Sequence, residues 1–144
     1  MNHSEQAAYS HLIDVITKEA EPLLENEYKY DALIEKIGNS RFVLLGEATH
    51  GTEEFYQARI DISKKLIKEK GFMAIAIEGD WPDVYSVNRY VQGAFDKNAV
   101  EFALSSFTRF PTWMWHNKTI SPFLQWLREY NDNLADIKKI DFLA

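Results

Sequence analysis

Apolar positions along the chain fall into helical stripes and short continuous runs, and their order predicts an α/β fold. Tyr9, Leu12, Ile13 and Ile16 recur at helical spacing, predicting a helix over about Glu5 to Lys18 with Ser4 as its cap. A short helix, about Tyr30 to Ile37, follows and closes at Gly38. Residues Arg41 to Glu47 (RFVLLGE) form a compact apolar run between turn residues, the pattern of a buried strand. From Thr52 to Lys70 the stripe becomes helical again, through Phe55, Tyr56, Ile60, Ile62, Leu66 and Ile67, with Gly71 just past the end. Glu53 and Glu54 in the first turn and Lys68 and Lys70 in the last suit the helix dipole. Phe72 to Glu78 (FMAIAIE) is a second buried strand, so strand, helix and strand form a βαβ unit with parallel, adjacent strands and a right-handed crossover. Asp80 caps the next helix, with Pro82 near its start, which runs to about Gln92 and stops at Gly93. Further helix is expected over Lys97 to Ser105 and Pro122 to Ala135, and a third strand over Asp136 to Leu143. The predicted class is α/β, a mainly parallel sheet with flanking helices.

Composition narrows the function classes. The 144 residues are 46% hydrophobic, 14% aromatic and 26% charged, which supports one globular domain and excludes wholesale disorder. No apolar run approaches the length of a membrane span, and the N-terminus lacks a signal-peptide pattern. With 0 cysteines, disulfide frameworks, thiolate metal sites and cysteine nucleophiles all drop out, and the default location is the cytoplasm. Lys and Arg number 16 against 22 Asp and Glu, a net charge of −6 without a basic cluster, which argues against nucleic acid as a partner. The oligomeric state is not legible.

In open parallel sheets the ligand site lies beyond the carboxyl ends of the strands. Each of the first two expected strands ends in a glutamate, Glu47 and Glu78. Parallel pairing at about 4.8 Å spacing sets both on one edge. His50 lies in the turn after Glu47, before a helix start, and Asp80 follows Glu78. Histidine takes a proton from water near neutral pH, and a neighbouring carboxylate fixes its tautomer. Backbone N–H groups at the Thr52 helix start suit a developing oxyanion. Arg59, on the sheet-facing side of that helix, leans toward the rim. A plainer role competes at each position. Glu47, Glu78 and Asp80 also suit helix caps, His50 a turn residue and Arg59 a surface ion pair. The aromatic segment Phe107 to His116 suits core packing as well as a pocket wall.

The segments GEATHG (46–51), AIAIEGDWPD (74–83), VNRYV (87–91) and FPTWMWHN (110–117), in that order, resemble the erythromycin esterase family, which includes members labelled succinoglycan biosynthesis proteins. The resemblance covers about Arg41 to Ala144. It implies an α/β fold with a deep cleft above the sheet. It also implies hydrolysis of a small-molecule ester or lactone, such as a macrolide, by histidine-activated water without an essential metal or cofactor. Macrolide resistance is the associated biology. By position the general base falls on His50, and the acidic residue three places earlier on Glu47. The arginine of the following helix falls on Arg59 and the acidic residue ending the next strand on Glu78. Asp80 and Trp81 complete that motif. Trp113, Trp115 and His116 are the candidates for the substrate-binding wall. Family members are longer and carry further active-site histidines in their C-terminal half. The chain is therefore expected to be the N-terminal portion of one such α/β domain, with residues 1–40 a helical lead-in and 41–144 the motif-bearing region. A metal-dependent hydrolase built on the same Glu/His rim and a catalytically silent fragment are the competing expectations.

Overall fold

The computed structural model describes residues 3–20, 30–46, 49–109 and 112–144. The chain divides into two compact units, Met1–Lys36 and Ile37–Ala144. The first carries helix α1 (His3–Glu19), and α2 (Asp31–Ile37) spans the boundary. Helix α1 begins slightly before the expected cap, so Ser4 lies inside it. The stripe Tyr9, Leu12, Ile13 and Ile16 is solvent-exposed.

In the second unit, helix α3 is Glu53–Lys70 and closes at Gly71, whose φ of 70° is open to glycine at little cost. Its N–H donates to the Leu66 carbonyl, satisfying a helix-end acceptor. Strand β1 (Ala74–Ala76), helices α4 (Trp81–Val91), α5 (Val100–Leu104) and α6 (Ile120–Asp132), and strand β2 (Asp141–Leu143) follow. Single 3-10 turns lie at Thr112–Met114 and Asp136–Lys138. The strands pair in parallel, with Ala74 opposite Asp141, Ile75 opposite Phe142 and Ala76 opposite Leu143. The fold is therefore α/β, with a crossover of three helices between neighbouring parallel strands.

One expected strand is not where the apolar pattern put it. Among the described residues the sheet has two strands, and residues 41–46 are in neither. Phe42 and Leu44 are 82% and 96% exposed, while Val43 and Leu45 are half-buried and line a cleft shared with β1. The segment alternates as a strand does but makes no ladder. Pairing is a non-local event, and apolar alternation alone does not supply the partner. The parallel neighbour of β1 is instead β2, inside the span expected for the third strand.

Helices α4 and α6 form the core against β2. Val84, Val87, Tyr90 and Val91 of α4 meet Phe123, Leu124 and Leu127 of α6, and Phe142 closes the layer from the strand. Leu124 and Leu127 are fully buried. Each contributes roughly 1.5–3 kcal/mol relative to exposure.

Polar groups inside this layer are matched closely. Asn131, at 0% exposure, donates from Nδ2 to the Val91 and Ile140 carbonyls (3.0 and 2.9 Å) and accepts the Ile140 N–H at 2.7 Å. Asn88 Oδ1 accepts the Phe142 N–H at 2.9 Å, and Gln92 Nε2 donates to the Ile140 carbonyl at 3.1 Å. Amide side chains thus occupy the edge of β2 that faces away from β1, where a third strand would otherwise bond. Arg128 donates from Nη1 to the Tyr90 and Phe95 carbonyls, both at 2.9 Å, which satisfies one acceptor in the last turn of α4 and one in the connection that follows it.

Asp132 continues this network. Lys97 Nζ and Arg128 Nε each lie 2.9 Å from its carboxylate. The Lys97 hydrogen bond, aided by that from Arg128, holds its pKa below the usual aspartate value of 3.8. The lowered value means that the charged carboxylate stabilises the fold above about pH 4, and this is lost as pH falls toward the folded pKa. In urea unfolding, the stability gap between wild type and Asp132→Asn is expected to be largest at pH 7 and to shrink at pH 3. A gap that does not change with pH would refute this.

Candidate functional site

The site is built at the carboxyl end of β1. The Ile77 N–H donates to the Leu143 carbonyl at 2.9 Å, extending the parallel pairing one residue beyond the strand. The chain then turns through Glu78, Gly79 and Asp80 into α4. Gly79 is dictated by space. A Cβ there would stand 2.9 Å from Val84 Cγ2, 3.6 Å from Ile77 Cδ1 and 3.8 Å from Trp115 Nε1. Val84 is 1% exposed and cannot retreat into solvent. Gly79→Ala is expected to cost about 1–3 kcal/mol by overpacking. Chemical denaturation measures it, and a neutral effect would show that the turn gives way.

A cleft of about 330 Å³ opens beside this turn. Val43, Leu45, Ile60, Ile75, Ile77, Trp115 and Phe142 give it largely apolar walls. Arg59, Ser63 and Glu78 bring charged or hydroxyl groups to the same lining. Such a cavity suits a small molecule with an apolar body and a polar group to be held.

Each candidate among the described residues has a definite place. Glu47 lies outside the described residues. Arg59 Nη2 donates to the Gly46 carbonyl at 3.1 Å, and its guanidinium sits 5.9 Å from the centre of the Tyr56 ring. His50 is half-buried in the turn before α3, with Nδ1 enclosed. The His50 carbonyl accepts the Tyr56 hydroxyl at 3.0 Å. Tyr56 itself lines the cleft, so one side chain joins the histidine turn to the cavity wall. His50 adjoins the cleft through this tyrosine and is not part of its lining.

Glu78 lines the cleft, and its carbonyl accepts Trp115 Nε1–H at 2.7 Å. The Trp115 ring meets Phe142 edge-on with centroids 6.4 Å apart. Asp80 holds the cap position of α4, but its side chain makes no cap bond. Asp80 Oδ2 instead accepts Arg109 Nη1 at 2.7 Å. Trp81 is exposed and stacks on Tyr85 at 5.2 Å, above a shallow recess shared with Asn88 and Phe142. Trp113 is exposed, and its carbonyl accepts Asn117 Nδ2 at 3.0 Å. His116 points toward α5, with Nε2 3.1 Å from Glu101 Oε2. The structure thus brings Arg59, Glu78 and Trp115 to one cavity, sets His50 beside it and turns His116 elsewhere.

Three contributors carried no sequence signal of their own. Tyr56 reads as one more apolar position of the α3 stripe, and Ser63 as a polar helix residue. Arg109 lies in the aromatic segment 107–116, yet its pairing with Asp80 spans 29 positions and has no local signature. Among the described residues no three His, Asp or Glu side chains gather as a metal site, and no helix is long and apolar enough to cross a membrane.

The erythromycin esterase family model matches residues 67–143, which include β1, the Glu78 turn, the aromatic segment and β2. The chain is 28% identical over 120 residues to an erythromycin esterase type II of Escherichia coli, covering 83% of this chain and 26% of that protein. It also superposes on the crystal structure of a succinoglycan biosynthesis protein with a TM-score of 0.75 and 28% identity, covering 94% of this chain and 33% of that one. The chain spans between a quarter and a third of the proteins it matches.

Proposed function

Because the chain belongs to the erythromycin esterase family, we propose that it carries the general base of a hydrolase site that cleaves a carboxylic ester or lactone. His50 takes a proton from water as the oxygen attacks the ester carbonyl carbon. Glu47 orients the imidazole. The carbonyl oxygen becomes a tetrahedral oxyanion, and the Arg59 guanidinium offsets its charge. Collapse of this intermediate breaks the bond to the alkoxy oxygen, which takes the proton back from the His50 imidazolium. An acid and an alcohol result, or a hydroxy acid if the substrate is a lactone. Glu78 binds and orients the substrate and Trp115 forms part of the substrate-binding wall, while Asp80, Trp81 and Trp113 stand outside the cleft lining. The proposed location is the cytoplasm.

The observation that carries this reading is the cleft. It is apolar enough for the body of an ester and carries Arg59 and Glu78 in its lining. It adjoins the histidine turn through Tyr56. Macrolide lactones enter as candidate substrates through the name of the Escherichia coli relative. The test is hydrolysis of p-nitrophenyl butyrate by the purified chain, with and without a chelator. Release of nitrophenol above the spontaneous rate, unchanged by the chelator, is expected. Absence of turnover would overturn hydrolysis by this chain, and loss on chelation would overturn the metal-free mechanism.

A further inference from the structure

Residues 112–119 form a turn that touches three parts of the second unit. Asn117 gives it its shape. Its Oδ1 accepts the N–H groups of Thr119 and Ile120 at 2.9 and 3.0 Å, and Nδ2 donates to the Trp113 and Met114 carbonyls at 3.0 and 3.2 Å. These bonds are internal to the turn and the start of α6, so they do not decide where the turn sits. Outward ties do that. Trp115 reaches the Glu78 carbonyl, and Lys118 pairs with Glu53 at 2.8 Å, at the start of α3. That pair is a single contact between exposed side chains, whereas Glu101, itself exposed, joins two groups on two elements.

A further outward tie among the described residues is Glu101 on α5. Its two carboxylate oxygens serve two partners. Oε2 lies 3.1 Å from His116 Nε2, within the turn, and Oε1 accepts the Ser121 hydroxyl at 2.7 Å, in the first turn of α6. Hydrogen bonding from Ser121 and then His116 holds the Glu101 pKa below its ordinary value, as expected for a carboxylate engaged in its charged form. His116 is the residue next to Trp115, whose ring lines the cleft.

We propose that Glu101 is a positioning residue for the cleft: by holding His116 and Ser121 together it sets the 112–119 turn, and through it the Trp115 wall and the Trp115–Glu78 bond. Glu101 touches no substrate. It fixes the width of the cavity from outside. Loss of the carboxylate leaves the turn with its Asn117 shape and frees its position, so Trp115 becomes more accessible and the substrate is held less well. The kinetic part rests on the hydrolase reading above. The optical part does not.

The experiment compares Glu101→Ala and Glu101→Gln with wild type. Glutamine retains an oxygen for Ser121 and gains an N–H for the imidazole, so it restores the tie. Glu101→Ala is expected to red-shift tryptophan emission and increase acrylamide quenching, and Glu101→Gln to return both toward wild type. Both changes should shrink when the pair is compared in a Trp115→Phe background, where the already exposed Trp113 is the reporter left in the turn. With p-nitrophenyl butyrate, KM should rise about fivefold in Glu101→Ala, close to 1 kcal/mol of binding, with kcat little changed. Wild-type emission and quenching in Glu101→Ala would overturn the proposal, as would an optical change of undiminished size in Trp115→Phe. Should Glu101→Ala fail to fold by circular dichroism, Ser121→Ala removes one of the two ties, and wild-type quenching in it overturns the proposal equally. If wild type hydrolyses no ester, the hydrolase reading fails while the optical comparison still decides the role of Glu101.

Discussion

His50→Gln is expected to lower ester hydrolysis by about 10²–10⁴-fold, the usual contribution of a positioned general base. The loss should fall on kcat, because the imidazole acts in the transition state and does little to hold the ester in the ground state. Glutamine is chosen because it preserves polarity and approximate size while removing the proton-accepting ring. The turn should survive the change. Tyr56 bonds the backbone carbonyl of residue 50 at 3.0 Å, and that bond does not depend on the side chain. Chemical denaturation should therefore give a stability close to that of wild type. Steady-state kinetics on p-nitrophenyl butyrate, with unfolding measured alongside, separates the outcomes. Equal turnover by both proteins would remove His50 as the base. Parallel loss of turnover and stability would assign it a structural role.

The largest structural effect is expected at Asn131. Asn131→Leu keeps the branched shape of the side chain and removes its amide. The Val91 carbonyl and the Ile140 N–H then lose their side-chain partner in a dry interior, while the Ile140 carbonyl keeps Gln92 Nε2 at 3.1 Å. Each buried group left unsatisfied costs about 1–3 kcal/mol, so a loss of roughly 3–5 kcal/mol is expected. That is a large fraction of the whole stability of a domain this size, and it corresponds to a fall in Tm on the order of 10 °C. The damage should concentrate at the entry to β2, because the amide ties that segment to both α4 and α6. Hydrogen exchange at the Ile140 and Phe142 amides would reveal it. Asn131→Asp should be no better. It retains an acceptor for the Ile140 N–H but loses both donors and buries a charge. A loss under about 1 kcal/mol for Asn131→Leu, the typical effect of any substitution, would show that these groups recover partners elsewhere.

The family, the α/β class and most helices were legible without coordinates. The stripe over Thr52 to Lys70 appears as α3 (Glu53–Lys70), and the helix expected from Asp80 to Gln92 appears as α4 (Trp81–Val91). The glycines expected beyond helix ends, Gly38, Gly71 and Gly93, all take positive φ of 57°, 70° and 100°. These features are local. Helical periodicity repeats within a few residues, a cap acts within one turn, and glycine alone enters the left-handed region without a steric penalty. The motifs around His50, Glu78 and Trp115 were equally visible, because a motif is itself a local string.

What only the tertiary structure decided is non-local. The apolar run 41–46 has the composition of a strand, yet β1 takes β2 as its partner across a long crossover, because a ladder needs matching backbone groups from a distant segment. Asn131 looks in sequence like an exposed helix residue. Its 0% exposure follows from where α4 and the entry to β2 meet around it. His116 stands three positions after Trp113 and one after Trp115, and nothing in that string says that Trp115 lines the cleft while His116 faces Glu101 on α5. The sequence by itself determined which residues carry chemistry and which segments coil. Packing determined which of them share a cavity, because the direction of a side chain is settled by whatever stands opposite it in space.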